Sequence, residues 1–128
     1  MNVMRILMGK LKDGDILVTP VQSKKFIVEH ISEAEVILLI GEGWRTTIPA
    51  KCLNGIPNFL KGKDWVKIGA IHDYASKPGT LEDYINNSKP EKRSTGTYVA
   101  SILEHAEIVD IDRKPPSKVR LSNNNKFT

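Results

Sequence analysis

Apolar and polar residues alternate with a period of two along the first third of the chain, which is typical of half-buried β-strands. The alternating runs are rich in valine and isoleucine and are separated by turn residues, among them Asp13-Gly14-Asp15. Connections this short join strands that run in opposite directions, because a parallel pair needs a much longer crossover. The pattern therefore predicts an antiparallel meander of strands over residues 16–19, 25–30, 35–40 and 44–48.

The apolar spacing changes to a helical period after the meander, and Thr47 is the predicted N-cap of the first helix. Gly55 and Pro57 predict a break in this helix, because both residues disfavour a helix interior. A short strand is predicted over residues 65–68, with a continuation over residues 71–74. The buried face of the helix is formed by Cys52, Leu53 and Ile56.

Two further helices and a hairpin are predicted in the last third of the chain. Thr80 is the predicted N-cap of a helix over residues 81–86, whose first turn carries acidic residues that oppose the helix dipole. A second helix over residues 95–106 leads directly into β-type runs at residues 108–111 and 119–121, which predict a hairpin with a basic tip. The buried stripe of the second helix consists of Tyr98, Val99, Ile102, Leu103 and Ala106.

Positive charge is concentrated in the same third of the chain. The net charge is +4, and residues 87–128 hold eight lysines and arginines against five acidic residues. A basic cluster next to a helix and a hairpin favours a nucleic-acid partner. The cluster consists of Lys89, Lys92, Arg93, Arg113, Lys114, Lys118, Arg120 and Lys126.

The stretch STGTYVASILEHAEIVDIDRKPPSKVRL, together with the short helix before it, resembles the winged helix-turn-helix family of DNA-binding domains. The resemblance covers about residues 78–122, and it is one of pattern. It implies that the second helix enters the major groove of duplex DNA and that the hairpin, or wing, follows the phosphate backbone. Glu104 departs from this pattern, so only the first two turns of the helix are expected to engage DNA.

The resemblance also implies the residues that bind DNA. Thr95, Thr97 and Ser101 are expected to face the groove, with Lys92, Arg93 and Ser94 at the same end of the helix. Backbone N–H groups at that end suit a phosphate. On the wing, the expected phosphate contacts are Arg113, Lys114, Lys118 and Arg120.

The expected fold class is α+β, with a small antiparallel SH3-like β-barrel followed by a winged helix-turn-helix unit. The barrel lobe is expected over residues 1–48. The helical and winged lobe is expected over residues 49–128, with a frayed tail after Leu121. The two lobes are expected to pack as one body, because nothing between them resembles a flexible linker.

The residue types predict no enzyme, metal site or cofactor. Cys52 is the only cysteine, which excludes an intramolecular disulfide and favours a reducing, cytoplasmic location. The three histidines lack the spacing of metal ligands, and the acidic pairs fit turns and helix starts better than a nuclease centre. No apolar run approaches the length of a membrane span.

The leading functional expectation is binding of double-stranded DNA, as a regulator or as the target-reading module of a larger system, including a reader of modified DNA in restriction or defence. The alternative is a protein-interaction adaptor that docks a partner through the barrel and the winged unit. A third reading is a barrel that binds RNA or a small ligand by stacking on Trp44 beside Arg45, although burial is the default for a tryptophan.

Overall fold

The computed structural model describes residues 2–69, 78–89 and 94–122 of the chain, and its fold is α+β as predicted. The helices are α1 Val3–Lys10, α2 Ala50–Leu60, α3 Leu81–Asn87 and α4 Gly96–His105. The strands are β1 Ile16–Val18, β2 Lys25–Ile31, β3 Glu35–Ile40, β4 Trp44–Pro49, β5 Val66–Lys67, β6 Val109–Asp112 and β7 Lys118–Leu121.

Strands β1 to β4 form an antiparallel meander in the order β1-β2-β3-β4, which confirms the predicted connectivity. Every second residue of β3 is buried, as a strand with one covered face requires. The sheet is open, however, with β1 and β4 as its two edges, so the expected barrel closure is not found. One reason is that β1 is only three residues long and contacts α4 beside it.

Helix α1 is an element that the sequence analysis did not predict. Asn2 caps it, since its side-chain oxygen accepts the backbone N–H of Arg5 at 3.1 Å. One face of the helix is buried against α2 and α4. The signal was present in the spacing of its buried residues, which are Val3, Met4 and Leu7, followed by Leu11.

Helix α2 runs unbroken through both Gly55 and Pro57, which corrects the predicted break. It begins after Pro49, and the predicted cap Thr47 lies instead within β4. Burial of the apolar face outweighs the poor helix propensity of the two residues, because tertiary packing stabilises a helix more than propensity does. That face consists of Cys52, Leu53, Ile56, Pro57 and Leu60.

The second sheet joins the predicted hairpin to the short strand before α3, in the order β5-β7-β6 with antiparallel neighbours. The predicted cap of α3 is confirmed, since Thr80 Oγ1 accepts the backbone N–H of Asp83 at 3.1 Å. The predicted continuation at 71–74, part of the loop after α3, and the predicted tail lie outside the described residues.

Both sheets and the four helices contribute to one hydrophobic cluster. Contacts between the lobes include the edge-to-face pair Phe26 and Tyr98, whose ring centroids are 5.1 Å apart. In addition, the side-chain amide oxygen of Asn54 accepts the backbone N–H of Met4 at 3.1 Å. The four-stranded sheet is thereby held against α4.

Candidate nucleic-acid interface

Helix α4, the predicted reading helix, is largely enclosed by the rest of the protein. Thr95 is fully buried, and Ser101 is 7% exposed with its hydroxyl donating to the carbonyl oxygen of Val18 at 2.7 Å. The expectation that these two residues face a DNA groove is therefore wrong. The reason is that β1 packs on the helix face that was taken to be open. Thr97 is half-buried in a small cleft of about 60 Å³, which it lines with Lys24 and other residues.

The amino-terminal end of α4 is capped by a carboxylate from the neighbouring helix. Glu82 Oε2 accepts the backbone N–H groups of Thr95 at 3.2 Å and Gly96 at 2.5 Å. The side chain of Ser94 also hydrogen-bonds Glu82. An anion already occupies these donors, so they do not form the open phosphate site expected from the sequence.

Glu82 is nearly enclosed, with 5% of its surface exposed. Burial raises the pKa of its carboxyl above the ordinary value, against the hydrogen bonds from Ser94, Gly96 and Thr95 and the nearby charge of Lys89. The sequence analysis placed Glu82 in the first turn of α3 but gave no signal of this role, because the contact joins residues in different helices.

Arg113, expected on the wing as a phosphate contact, is committed to protein acceptors. Its two terminal nitrogens donate to the carboxylate oxygens of Glu104 at 2.7 and 2.6 Å, and its Nε donates to the carbonyl oxygen of Pro20 at 3.0 Å. The hydrogen bonds to Glu104 raise the pKa of the guanidinium. Glu104, expected to repel DNA, instead fixes the hairpin against α4.

The outer face of the three-stranded sheet brings together cations that are far apart in sequence. Lys67 and Lys118 are directly opposite each other in the antiparallel pair of β5 and β7, and Asp112 of β6 lies opposite Lys118 on its other side. Directly opposite residues share one face, with Cβ atoms about 5 Å apart, and like charges there are destabilising. Val66 and Val119, the next pair, are buried on the other face.

Arg120 lies on the same outer face and is partly neutralised. Its guanidinium stacks over the ring of Trp65 at 4.3 Å and reaches Asp110 at 3.6 Å and Asp64 at 3.8 Å. A cation over an aromatic face is held in a fixed orientation. Trp65 is half-buried in this arrangement, beneath a charged side chain.

Lys114 extends the cationic surface to the tip of the hairpin, where it is exposed. Within residues 2–69, 78–89 and 94–122, Lys67, Lys114 and Lys118 form no ion pair with an acidic side chain, although Lys118 Nζ donates to the carbonyl oxygen of Pro116 at 3.2 Å. We call Lys67, Lys114, Lys118 and Arg120 the basic sheet surface. Lys92 and Arg93, also expected to bind DNA, lie outside the described residues.

Lys67 is the member of this surface that was not among the residues expected to bind DNA. It alternates with Val66 and Ile68 in a predicted strand, so its exposure could be read from the sequence. Its position opposite Lys118 could not, since the pairing joins residues on either side of α3 and α4.

Other residues that the sequence analysis singled out take part in internal contacts of the fold. Cys52 is fully buried, and burial raises the pKa of its thiol to about 11 despite the charge of Lys89. The turn predicted at Asp13-Gly14-Asp15 is confirmed, since the backbone N–H of Asp15 donates to the carbonyl oxygen of Lys12 at 3.0 Å. Trp44 packs against the core, whereas Arg45 is exposed and donates to Glu29, so the two do not form one stacking site.

The described ranges hold neither a cluster of metal-ligating side chains nor a membrane-spanning helix. No group of three or more histidine, cysteine, aspartate or glutamate side chains there is arranged to hold a metal ion. No helix in that part of the chain combines the length and apolar character of a membrane span. Comparison with protein-family models, with curated proteins and with solved structures finds no match to this chain.

Proposed function

We propose that this protein is a non-catalytic DNA-binding protein that contacts the phosphate backbone of duplex DNA through the basic sheet surface. The observation that carries the proposal is the cross-strand pair of Lys67 and Lys118, with Lys114 at the adjacent hairpin tip. The like charges of two opposed lysines repel each other, although Asp112 in β6 also lies opposite Lys118. A phosphate between or above them converts that repulsion into two favourable contacts.

The order of the elements supports the proposal that the last third of the chain is a winged unit. Strand β5 precedes α3 and α4, and it pairs with the second strand of the hairpin to give a three-stranded sheet beside the two helices. Burial of α4 limits base reading to its first turn, where Thr97 is half-exposed. Binding is therefore proposed to depend on phosphates and to tolerate many sequences.

The decisive variant is Lys67→Glu, because it separates binding from folding. Opposite charges would then face each other across β5 and β7, which raises the free energy of unfolding by about 0.2–1 kcal/mol. The same change places a negative charge in the phosphate path. We expect a more stable protein with weaker affinity for random duplex DNA, measured by fluorescence anisotropy and thermal unfolding.

The salt dependence of binding provides an independent measurement. Replacing Lys67 and Lys118 by alanine should lower the slope of log affinity against log salt by up to about two units, since each phosphate contact contributes about 0.9. The matched control replaces Lys12, which is exposed between α1 and β1, and Lys51, which is exposed on α2. Absence of binding by the parent at low salt, or equal slopes in both double variants, would overturn the proposal.

A protein-interaction adaptor is the second candidate function. It is favoured by the exposed apolar residues on and after β1, which are Ile16 at 62%, Val18 at 46% and Val21 at 50% exposure. An adaptor without DNA affinity predicts no retention of the parent on duplex DNA even at low salt, so the same titration decides between the two functions.

A further inference from the structure

The outer face of the four-stranded sheet is apolar at its centre. Ile27 and Leu39 are paired across β2 and β3, and Ile16 extends the same row onto β1. These residues alternate with the buried positions, so they lie on the face that points away from the hydrophobic core. Ile37 belongs to the same face, next to Leu39 along β3 and opposite the exposed His30 of β2.

The two ends of this face carry opposite charges. Lys25 begins β2 at one end and is exposed, while Glu35 begins β3 at the other end and is half-exposed. Along the strands, the pair of Val28 and Leu38 lies midway between Lys25 and Glu35. The apolar residues flank that midpoint, so the face has a positive end, an apolar centre and a negative end.

A face with this arrangement is complementary to itself. A two-fold axis through the apolar centre and perpendicular to the strands places Lys25 of one copy near Glu35 of the other. Two sheets packed in this way lie about 10 Å apart, which long side chains can span. Arg45, which shares the apolar row, is already paired with Glu29 of its own sheet at 2.6 Å and adds little net charge.

We infer that this sheet face binds a second copy of the chain, giving a symmetric dimer in which Ile16, Ile27, Ile37 and Leu39 form the buried centre and Lys25 pairs with Glu35. The inference is independent of DNA binding, because the basic sheet surface belongs to the other sheet. Ile16, which is 62% exposed, and the half-buried Ile27, Ile37 and Leu39 are covered in such a dimer, which removes their contact with water.

The test is a charge exchange measured by sedimentation equilibrium. Lys25→Glu alone and Glu35→Lys alone should each weaken dimerisation at least tenfold, because like charges then meet at both ends of the interface. The double variant should restore dimerisation to within a fewfold of the parent. Restoration identifies a second copy as the occupant, since no other partner would carry the compensating change.

A matched pair of substitutions at exposed apolar residues distinguishes loss of the dimer from loss of folding. Ile16→Lys should abolish the dimer, whereas Met8→Lys should leave it intact, because Met8 is also exposed, at 42%, but lies on α1. Circular dichroism establishes that both variants are folded. A parent that stays monomeric at high protein concentration, or a double charge variant no better than the single ones, would overturn the inference while leaving the proposed DNA binding standing.

Discussion

Glu82 connects α3 to α4 through a single buried carboxylate. It accepts two backbone N–H groups at the start of α4, and those buried donors lose their acceptor if the carboxylate is removed. Glu82→Ala should therefore lower the free energy of unfolding by about 2–3 kcal/mol. Glu82→Gln keeps an acceptor oxygen and should cost about 1 kcal/mol or less, as measured by urea denaturation.

The difference in stability between the parent and Glu82→Gln should depend on pH with a definite sign. The pKa of Glu82 is raised by burial, so the folded state holds this proton more tightly than the unfolded state. Its contribution to stability is fully present below the unfolded pKa and is lost as the pH rises through the folded one. The stability of the parent relative to Glu82→Gln should therefore fall from acid toward neutral pH. A relative stability that rises over this range would mean that the hydrogen bonds outweigh burial.

Cys52 gives a second prediction from a single residue. With a buried thiol and a pKa of about 11, it presents almost no thiolate near neutral pH. A disulfide reagent should react with it slowly in the native protein and quickly after denaturation. Rapid reaction under native conditions would contradict this burial.

Cys52→Ala should leave DNA affinity unchanged, since the residue lies in α2 and away from the basic sheet surface.

At the scale of elements, α4 depends on close packing at its first residue. A Cβ on Gly96 would lie 2.7 Å from the Glu82 carboxylate and 3.3 Å from the backbone oxygen of Ile68. Gly96→Ala should lower the free energy of unfolding by about 1–3 kcal/mol, because neither contact can relax cheaply. The glycine thus serves internal packing at a buried position.

Gly9 is the matched control, since it lies within α1 and a Cβ there would meet nothing within 4 Å. Gly9→Ala should raise the free energy of unfolding by about 0.5–1 kcal/mol through helix propensity alone. Equal effects of the two substitutions in thermal unfolding would show that the packing at Gly96 is looser than the structure indicates.

Arg113 and Lys114 are adjacent cations on the hairpin, and the structure gives them different contacts. Lys114→Ala should lower the salt slope of DNA binding by about one unit. Arg113→Ala should leave the slope unchanged and instead destabilise the protein by about 1 kcal/mol, because its guanidinium joins Glu104 to Pro20. A slope reduced equally by both changes would place Arg113 on DNA.

Local patterns predicted most elements of the fold, and long-range contacts account for what they missed. The strands of the meander, the cap at Thr80 and the hairpin follow from residues close in sequence. The unbroken α2 depends on burial supplied by other elements, which no local pattern reports. The candidate site shows the same difference between local and long-range information. The hairpin lysines were singled out from the local sequence. The contact of Ser101 with Val18, which closes off α4, joins residues 83 positions apart and has no local signal.

At the scale of the whole molecule, the two lobes share one hydrophobic cluster and are joined by polar contacts as well. Ser101 bonds to β1, and Arg113 bonds to the carbonyl oxygen of Pro20 just after it. Interfaces of this kind cannot open without exposing buried apolar surface, so neither lobe is expected to unfold alone. The sequence-based expectation that the lobes pack as one body has its physical basis in these contacts.

The two tryptophans allow this cooperativity to be measured, because Trp44 belongs to the four-stranded sheet and Trp65 directly precedes the three-stranded sheet. Trp65→Phe leaves a reporter on the first lobe, and Trp44→Phe leaves one on the second. In each variant, the fluorescence transition in urea should coincide with the transition followed by circular dichroism, as a two-state process requires. The two variants need not share a midpoint, since each substitution removes different packing. If the Trp44 signal changes at lower urea than the circular dichroism while the Trp65 signal does not, the four-stranded sheet unfolds separately and the shared core does not couple the lobes.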